Sequence, residues 1–162
     1  MSHLVSDLQL FQCYRDAEYH GAELLQRLSR KTTDPRRQIE LTRQIADETR
    51  HALLWTERIC ELGGTLVPAR RAHRQRIRQH PGSSVAELDL FAKLYVVEER
   101  LDQQYRAHLA RASQESQTKD ILETILADEE WHRGWVKQVL AEQAQKFGKT
   151  RVAAAIDCSW NV

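Results

Sequence analysis

Two motifs of the sequence share one pattern: Asp47-Glu48-Thr49-Arg50-His51 and Asp128-Glu129-Glu130-Trp131-His132. Each places a histidine three residues after a glutamate, and a spacing of i, i+3 puts both side chains on one face of a helix. A single pair of this kind is weak evidence, because helices rich in Glu and His produce it by chance. Two such pairs in one chain indicate that two helices share a polar site.

Four long segments with helical periodicity carry and surround these motifs. Glycine and proline are scarce, with 6 and 3 copies, and they cluster between the segments. Asp34 before Pro35 and the capping box from Ser84 to Glu87 predict helix starts, and Gly63 predicts a helix end. The predicted helices cover residues 4–30, 35–62, 85–112 and 118–147, with a crossover at 64–83 and a C-terminal tail at 148–162.

The lengths of the connections predict how the helices are arranged. A helix of about 28 residues is roughly 42 Å long, so the short links at 31–33 and 113–117 can only join antiparallel neighbours. The crossover spans up to about 66 Å when extended, enough to run the length of a helix. We therefore expect one all-α domain over residues 1–162, a ferritin-like four-helix bundle of two antiparallel hairpins joined by a long crossover. The alternative is a structureless insertion between the hairpins.

Each predicted helix has an apolar stripe that a glutamate interrupts near the middle. In the third helix, for example, Phe91 and Leu94 lead to Glu98 on the same face. Buried carboxylates repel one another and cost several kcal/mol each to desolvate, so an apolar core accepts them only if they are protonated, paired or bound to cations. The four core-facing acids are Glu18, Glu48, Glu98 and Glu129.

The two hairpins repeat each other. The acids are 30 positions apart in the first hairpin and 31 in the second, and corresponding acids are offset by 80 and 81 positions. One Glu from each of two helices and a Glu-x-x-His pair from each of the other two form the ligand set of di-iron and di-manganese carboxylate bundles. The predicted ligands are Glu18, Glu48 and His51, mainly for one metal, and Glu98, Glu129 and His132, mainly for the other. A relic site held by salt bridges is the alternative.

An aspartate precedes the glutamate in both motifs. A carboxylate that accepts the free ring N–H of a metal-binding imidazole fixes the orientation of the ring. We expect Asp47 to serve His132 and Asp128 to serve His51. The alternative is that both are ordinary surface acids.

Taken together, residues 4–147 resemble the ferritin-like superfamily, whose di-iron members carry paired D-E-x-x-H motifs. The closest likeness in pattern is to di-iron oxygenases such as the bacterial multicomponent monooxygenases. The resemblance implies that the six predicted ligands hold the metals and form the catalytic centre. It also implies supporting roles beside the ligands for Arg50, which keeps the arginine of the motif, and for Tyr105. The second motif departs from the pattern with Trp131.

Two other branches of the superfamily fit less well. Rubrerythrins carry an additional Glu three residues after the third-helix ligand, where this chain has Leu101, and they have a cysteine-rich module that it lacks. Storage ferritins generally lack a second Glu-x-x-His, which disfavours cage formation and mineral storage.

The resemblance implies a non-haem di-iron oxidoreductase that activates O₂ or peroxide to oxidise or hydroxylate an organic substrate. The cofactor is expected to be two iron ions, with manganese or a mixed Mn/Fe pair left open. An external reductase or ferredoxin would supply electrons, since the chain has no electron-transfer motif. One alternative is a ferroxidase or iron-handling protein without an organic substrate, and another is a metal-free helical interaction module.

Composition limits the remaining possibilities. The chain is 41% hydrophobic and 29% charged, with no apolar run long enough for a membrane span and no signal sequence, so we expect a cytoplasmic protein. Its three cysteines favour reduced thiols, mostly packing residues, over a disulfide framework or zinc site. The basic segment 70–78 is either a contact for a phosphate-bearing partner such as nucleic acid or a solvated connection. A homodimer is expected on base rates.

Overall fold

A computed structural model describes residues 2–68, 84–111 and 116–160 of the chain. The described residues form five helices and the turns between them: α1 (Ser2–Ser29), α2 (Pro35–Glu61), α3 (Ser84–Arg111), α4 (Ser116–Phe147) and α5 (Lys149–Trp160). The all-helical class is confirmed. The four predicted helices begin and end within two residues of the bounds of α1 to α4. Most of the predicted crossover, including the basic segment 70–78, lies outside the described residues.

The start and end of α2 follow the predicted signals. The Asp34 carboxylate accepts a hydrogen bond of 2.9 Å from the backbone N–H of Arg36, and Pro35 occupies the first turn. After the helix, Gly63 has φ +71° and its N–H donates to the carbonyl of Cys60 at 2.9 Å. A left-handed residue at this place satisfies the last carbonyls of the helix, which is why glycine ends it.

Contacts at the two ends of the first hairpin explain why a long connection is needed. Thr32, in the turn between α1 and α2, donates from Oγ1 to Glu87 Oε1 at 3.0 Å, so α3 begins beside that turn. The chain leaves α2 at the opposite end of the hairpin. There it turns back along α1, where Gln12 donates from Nε2 to the carbonyl of Thr65 at 3.0 Å. Helices α2 and α3 therefore run in the same direction, and the end of α2 lies at the opposite end of the hairpin from the start of α3.

Most of the C-terminal tail at 148–162 forms α5, a helix packed on α3 and α4. Gly148 has φ +89° and turns the chain back at the end of α4. Val152 is only 6% exposed in one of the two core clusters, and the Arg100 guanidinium lies 5.1 Å from the centre of the Trp160 ring. The apolar stripe of α5 is too short to be distinctive in the sequence, so only its packing partners reveal it.

Two apolar clusters fill the bundle on either side of a buried polar layer. One is built around Leu25, Phe91 and Val136, and the other around Trp55 and Tyr105. None of the described helices is both long and apolar enough to cross a membrane. All three cysteines are unpaired and exposed, so they are not the packing residues that were expected.

Candidate metal centre

The six predicted ligands converge in the polar layer between the two apolar clusters. Each of the four helices of the bundle contributes its core-facing glutamate, and α2 and α4 also contribute a histidine one turn later. All of these side chains are at most 1% exposed: Glu18, Glu48, His51, Glu98, Glu129 and His132. Ionisable side chains buried this deeply in a core need partners of opposite charge or bound protons.

Their donor atoms form two overlapping groups, each with its atoms within 4.8 Å of one another. We call Glu18, His51 and Glu129 the Glu18 group, and Glu48, Glu98, Glu129 and His132 the Glu98 group. Glu129 belongs to both groups, which makes it the candidate bridge between two ions. The division differs from the predicted one in two residues, because Glu48 joins Glu98 and His132, and Glu129 also joins Glu18 and His51.

Buried polar atoms without a hydrogen-bond partner indicate whether this cluster fits metal ions. Both oxygens of Glu129, Oε2 of Glu18 and Glu98, and Nδ1 of His51 and His132 are buried without a hydrogen-bond partner. Leaving such an atom unpaired costs about 1–3 kcal/mol. The unpaired atoms belong to the two groups of donors, and carboxylate oxygen with imidazole nitrogen suits iron, manganese and zinc. The residues therefore fit a pair of such ions.

The two aspartates make the predicted contacts with the histidines of the opposite motif. Asp128 Oδ2 lies 3.1 Å from His51 Nε2, and Asp47 Oδ2 lies 3.4 Å from His132 Nε2. Arg50 donates to both carboxylates, at 2.9 Å to Asp47 and 2.8 Å to Asp128. A neutral ring that donates from Nε2 carries a free lone pair on Nδ1, the atom that faces the glutamates. The contacts are present, and their role in holding metal stays a prediction.

In the metal-free protein, burial determines which side chains of the centre keep their protons. It raises the pKa of Glu48 and Glu98 well above the usual range, with repulsion from the other carboxylates adding to it. It also raises the pKa of Glu129 to about 8 and lowers the pKa of His132. For Asp128, burial acts in the same upward direction, but hydrogen bonds from Arg50 and His51 outweigh it and lower the pKa. The centre thus holds protons while Asp128 stays ionised.

Glu18 and Glu98 are the two ligand glutamates without a histidine three residues later, and each accepts a hydrogen bond from a neighbouring side chain. The Tyr105 hydroxyl donates to Glu18 Oε1, as befits a phenol whose pKa burial raises well above normal. The Gln44 amide donates from Nε2 to Glu98 Oε1 at 2.7 Å. Sequence reasoning missed Gln44. The available signal was a polar residue one turn before Glu48 in the apolar stripe of α2.

Gly21 is a second residue that sequence reasoning missed. It lies inside α1, where glycine is unfavourable by roughly 1 kcal/mol relative to alanine. A Cβ built at this position would overlap Glu48 Oε2 and lie 3.0 Å from Glu48 Cδ. The missing side chain therefore leaves the space that the Glu48 carboxylate occupies.

The fold and the buried carboxylate–histidine cluster define a helical bundle built around a candidate two-metal centre. The sequence model of the family described as "Ferritin-like domain" matches residues 39–145, which is more than half of the chain, so the chain belongs to this family. Helix α1, with Glu18 and Gly21, precedes the matched region. No curated protein sequence matches the chain.

A solved structure of similar fold is the dodecameric thioferritin of Bacteroides fragilis, a bacterioferritin-related protein. The two chains are 20% identical and superpose with a TM-score of 0.70, over 88% of this chain and 89% of the other. At this identity the likeness establishes the shared fold. It confirms the ferritin-like bundle that the lengths of the helices and connections predicted.

Proposed function

We propose that this protein binds two iron ions in the bundle and oxidises Fe(II) to Fe(III) with O₂ or hydrogen peroxide. The observation that carries the proposal is the position of Glu129, a buried carboxylate that belongs to both donor groups and whose two oxygens have no hydrogen-bond partner. A carboxylate in this position would help to hold both ions. Manganese, or a mixed pair, would fit the same donors.

The chemistry that iron supplies is the transfer of two electrons. Two Fe(II) ions each lose one electron, and the two electrons with two protons reduce H₂O₂ to two water molecules, or O₂ to H₂O₂. The protein's part is to hold the pair together and to balance its charge. Four ionised glutamates offset the charge of two Fe(II) ions. The protons that burial keeps on Glu48, Glu98 and Glu129 must leave when the ions enter.

The enclosure of the centre favours a small substrate. Its six side chains are at most 1% exposed, which suits an ion and a diatomic or triatomic oxidant better than an organic molecule. A surface cavity of about 300 Å³ lies between α1 and α3, and none of the six ligands is among the residues that line it. Membership of the ferritin-like family supports the same choice.

Oxidation of an organic substrate is the second candidate, and one contact favours it. Tyr14 lines the surface cavity, and the centre of its ring lies 4.7 Å from that of Tyr105, which donates to Glu18. A substrate in the cavity would therefore be separated from the Glu18 group by two tyrosines. This function would require the external electron donor that the sequence analysis expects.

Self-association is a further part of the proposal. The similar structure from Bacteroides fragilis is a dodecamer, and a homodimer is the base-rate expectation for this chain. Size-exclusion chromatography with light scattering measures the assembly directly. A monomer at all concentrations would contradict this part and leave the metal centre untouched, since all six ligands come from one chain.

The test is an anaerobic Fe(II) titration of metal-free protein, followed by O₂ or H₂O₂. The wild type should bind about two ions per chain and oxidise repeated additions of Fe(II) without an organic substrate. Glu129→Gln should lose binding of the pair. Glu130→Gln is the matched control, because Glu130 is the exposed neighbour in the same motif and should behave as wild type.

Each result separates the candidates. Oxidation that stops after one round of about two ions would argue for the organic substrate. Failure of the wild type to bind iron, with its thermal stability retained, would contradict both oxidation functions and leave the metal-free helical interaction module.

A further inference from the structure

Gln44 is held in one orientation inside the bundle. Its side chain is fully buried on α2, and its Oε1 accepts a hydrogen bond of 2.9 Å from Trp135 Nε1 on α4. An indole nitrogen can only donate, so the amide oxygen must face Trp135 and the NH₂ group must face the other way. There it donates to Glu98 Oε1 at 2.7 Å and approaches Glu48 Oε1 at 3.3 Å.

The consequence for Glu98 is that its two oxygens are no longer equivalent. Oε1 is occupied by Gln44, whereas Oε2 is buried without a partner and belongs to a carboxylate of the Glu98 group. A carboxylate held in this way offers one fixed oxygen to an ion. Glu18 is arranged similarly, because its Oε1 accepts from Tyr105 and its Oε2 has no hydrogen-bond partner.

The two donors break the internal repeat of the bundle. The position equivalent to Gln44 in the second hairpin, 81 residues further along, is Ile125. The position equivalent to Tyr105 in the first hairpin, 80 residues earlier, is Leu25. Both residues are fully buried and apolar. The ligands thus repeat with pseudo-twofold symmetry, but their supporting donors differ, with an amide on one side and a phenol on the other.

We infer that Gln44, oriented by Trp135, is a positioning residue that makes the two metal positions unequal, with the Glu98 group the stronger. The inference rests on the proposed metal-binding function. Gln44 donates to two of the four ligands of the Glu98 group, Glu48 and Glu98, and to none of the three members of the Glu18 group. The Glu98 group also has four potential ligands, whereas the Glu18 group has three. An ion should therefore enter the Glu98 group first.

The test is a Co(II) titration of metal-free protein, followed by visible absorption and calorimetry, with circular dichroism melts as a check on folding. The wild type should bind in two resolved steps. Gln44→Met keeps the size of the side chain but removes its donor, and it should weaken the first step by about 10-fold or more, the usual effect of losing a hydrogen bond to a ligand. The second step should change little.

Ile125→Met is the matched control, since it places the same side chain at the repeat-equivalent position without removing a hydrogen bond. Both of its binding steps should match those of wild type. Tyr105→Phe should weaken the second step instead of the first. Trp135→Phe should weaken the first step in the wild-type background and have no effect on it when Gln44→Met is already present, because Trp135 acts through Gln44.

Equal weakening by Gln44→Met and Ile125→Met, or no weakening by Gln44→Met, would overturn the inference while leaving the metal centre in place. If Gln44→Met does not fold, the test rests on Trp135→Phe alone. An unchanged first binding step in that variant would overturn the inference. A wild type that binds no Co(II) and no Fe(II) contradicts the proposed function itself.

Discussion

Gly21 on α1 lies directly against the carboxylate of Glu48 on α2, in space that any larger side chain would fill. Gly21→Ala should therefore displace Glu48 and weaken metal binding, even though alanine favours the helix by roughly 1 kcal/mol. Gly134→Ala on α4 is the matched control, because a Cβ there meets nothing within 4 Å. It should raise the thermal melting temperature and leave metal binding unchanged. Metal titrations and melts of both variants measure the difference, and equal binding by both would show that Glu48 has room to move.

Arg50 joins the two aspartates that contact the histidines. Removing it in Arg50→Leu should loosen both imidazole rings and lower metal affinity by about 10- to 100-fold. The metal-free protein should lose less than about 1 kcal/mol of stability, because the Arg50 side chain is 42% exposed and its ion pairs are screened by solvent.

Arg106→Leu provides the control for Arg50→Leu. It removes an exposed guanidinium paired with Asp102, at 2.9 Å, outside the two donor groups. Calorimetric metal titration should find wild-type affinity for this variant. The same loss of affinity in both variants would mean that surface charge, and not the orientation of the rings, is responsible.

Stability without metal should depend on pH in an unusual direction. Burial raises the pKa of Glu129 from its ordinary value of 4.5 to about 8, so the folded protein keeps a proton that the unfolded chain has lost. Stability falls with rising pH wherever the folded state binds more protons. The melting temperature of the metal-free protein should therefore decrease between pH 4.5 and about 8.

Glu129→Gln should make this dependence shallower without removing it, because the amide is neutral throughout the range while burial also raises the pKa of Glu48 and Glu98. Saturating metal should reverse the sign for the wild type, since the ions replace the protons and bind better as pH rises. Differential scanning calorimetry in steps of pH measures all three cases. A metal-free wild type that gains stability from pH 5 to 8 would contradict the burial of protonated glutamates.

Helix α5 should stabilise the bundle without taking part in metal binding. Val152 is 6% exposed and packs with the core cluster that contains Leu140 and Leu88. Val152→Ala should cost about 1–2 kcal/mol, from two lost methyl groups and the space left behind. Ala154→Ser, on the exposed side of the same helix, should change stability by less than about 0.5 kcal/mol. Urea unfolding gives both values, and a change in Fe(II) binding in either variant would link α5 to the centre.

Helical periodicity was sufficient to predict which side chains would meet. The four core-facing glutamates interrupt apolar stripes, and the i, i+3 spacing fixes each histidine on the face of its glutamate. The nearly equal offsets between the hairpins then bring Asp47 to His132 and Asp128 to His51. These relationships depend on position along a helix, which the order of residues specifies directly.

Other features depend on how the helices are rotated and staggered against one another, which no single segment encodes. The contact of Gly21 with Glu48 and the chain from Trp135 through Gln44 to Glu98 each join different helices. The grouping of Glu48 with Glu98 and the docking of α5 have the same origin. Differences of about an ångström between packed helices decide which atoms touch, and only the assembled bundle sets those distances.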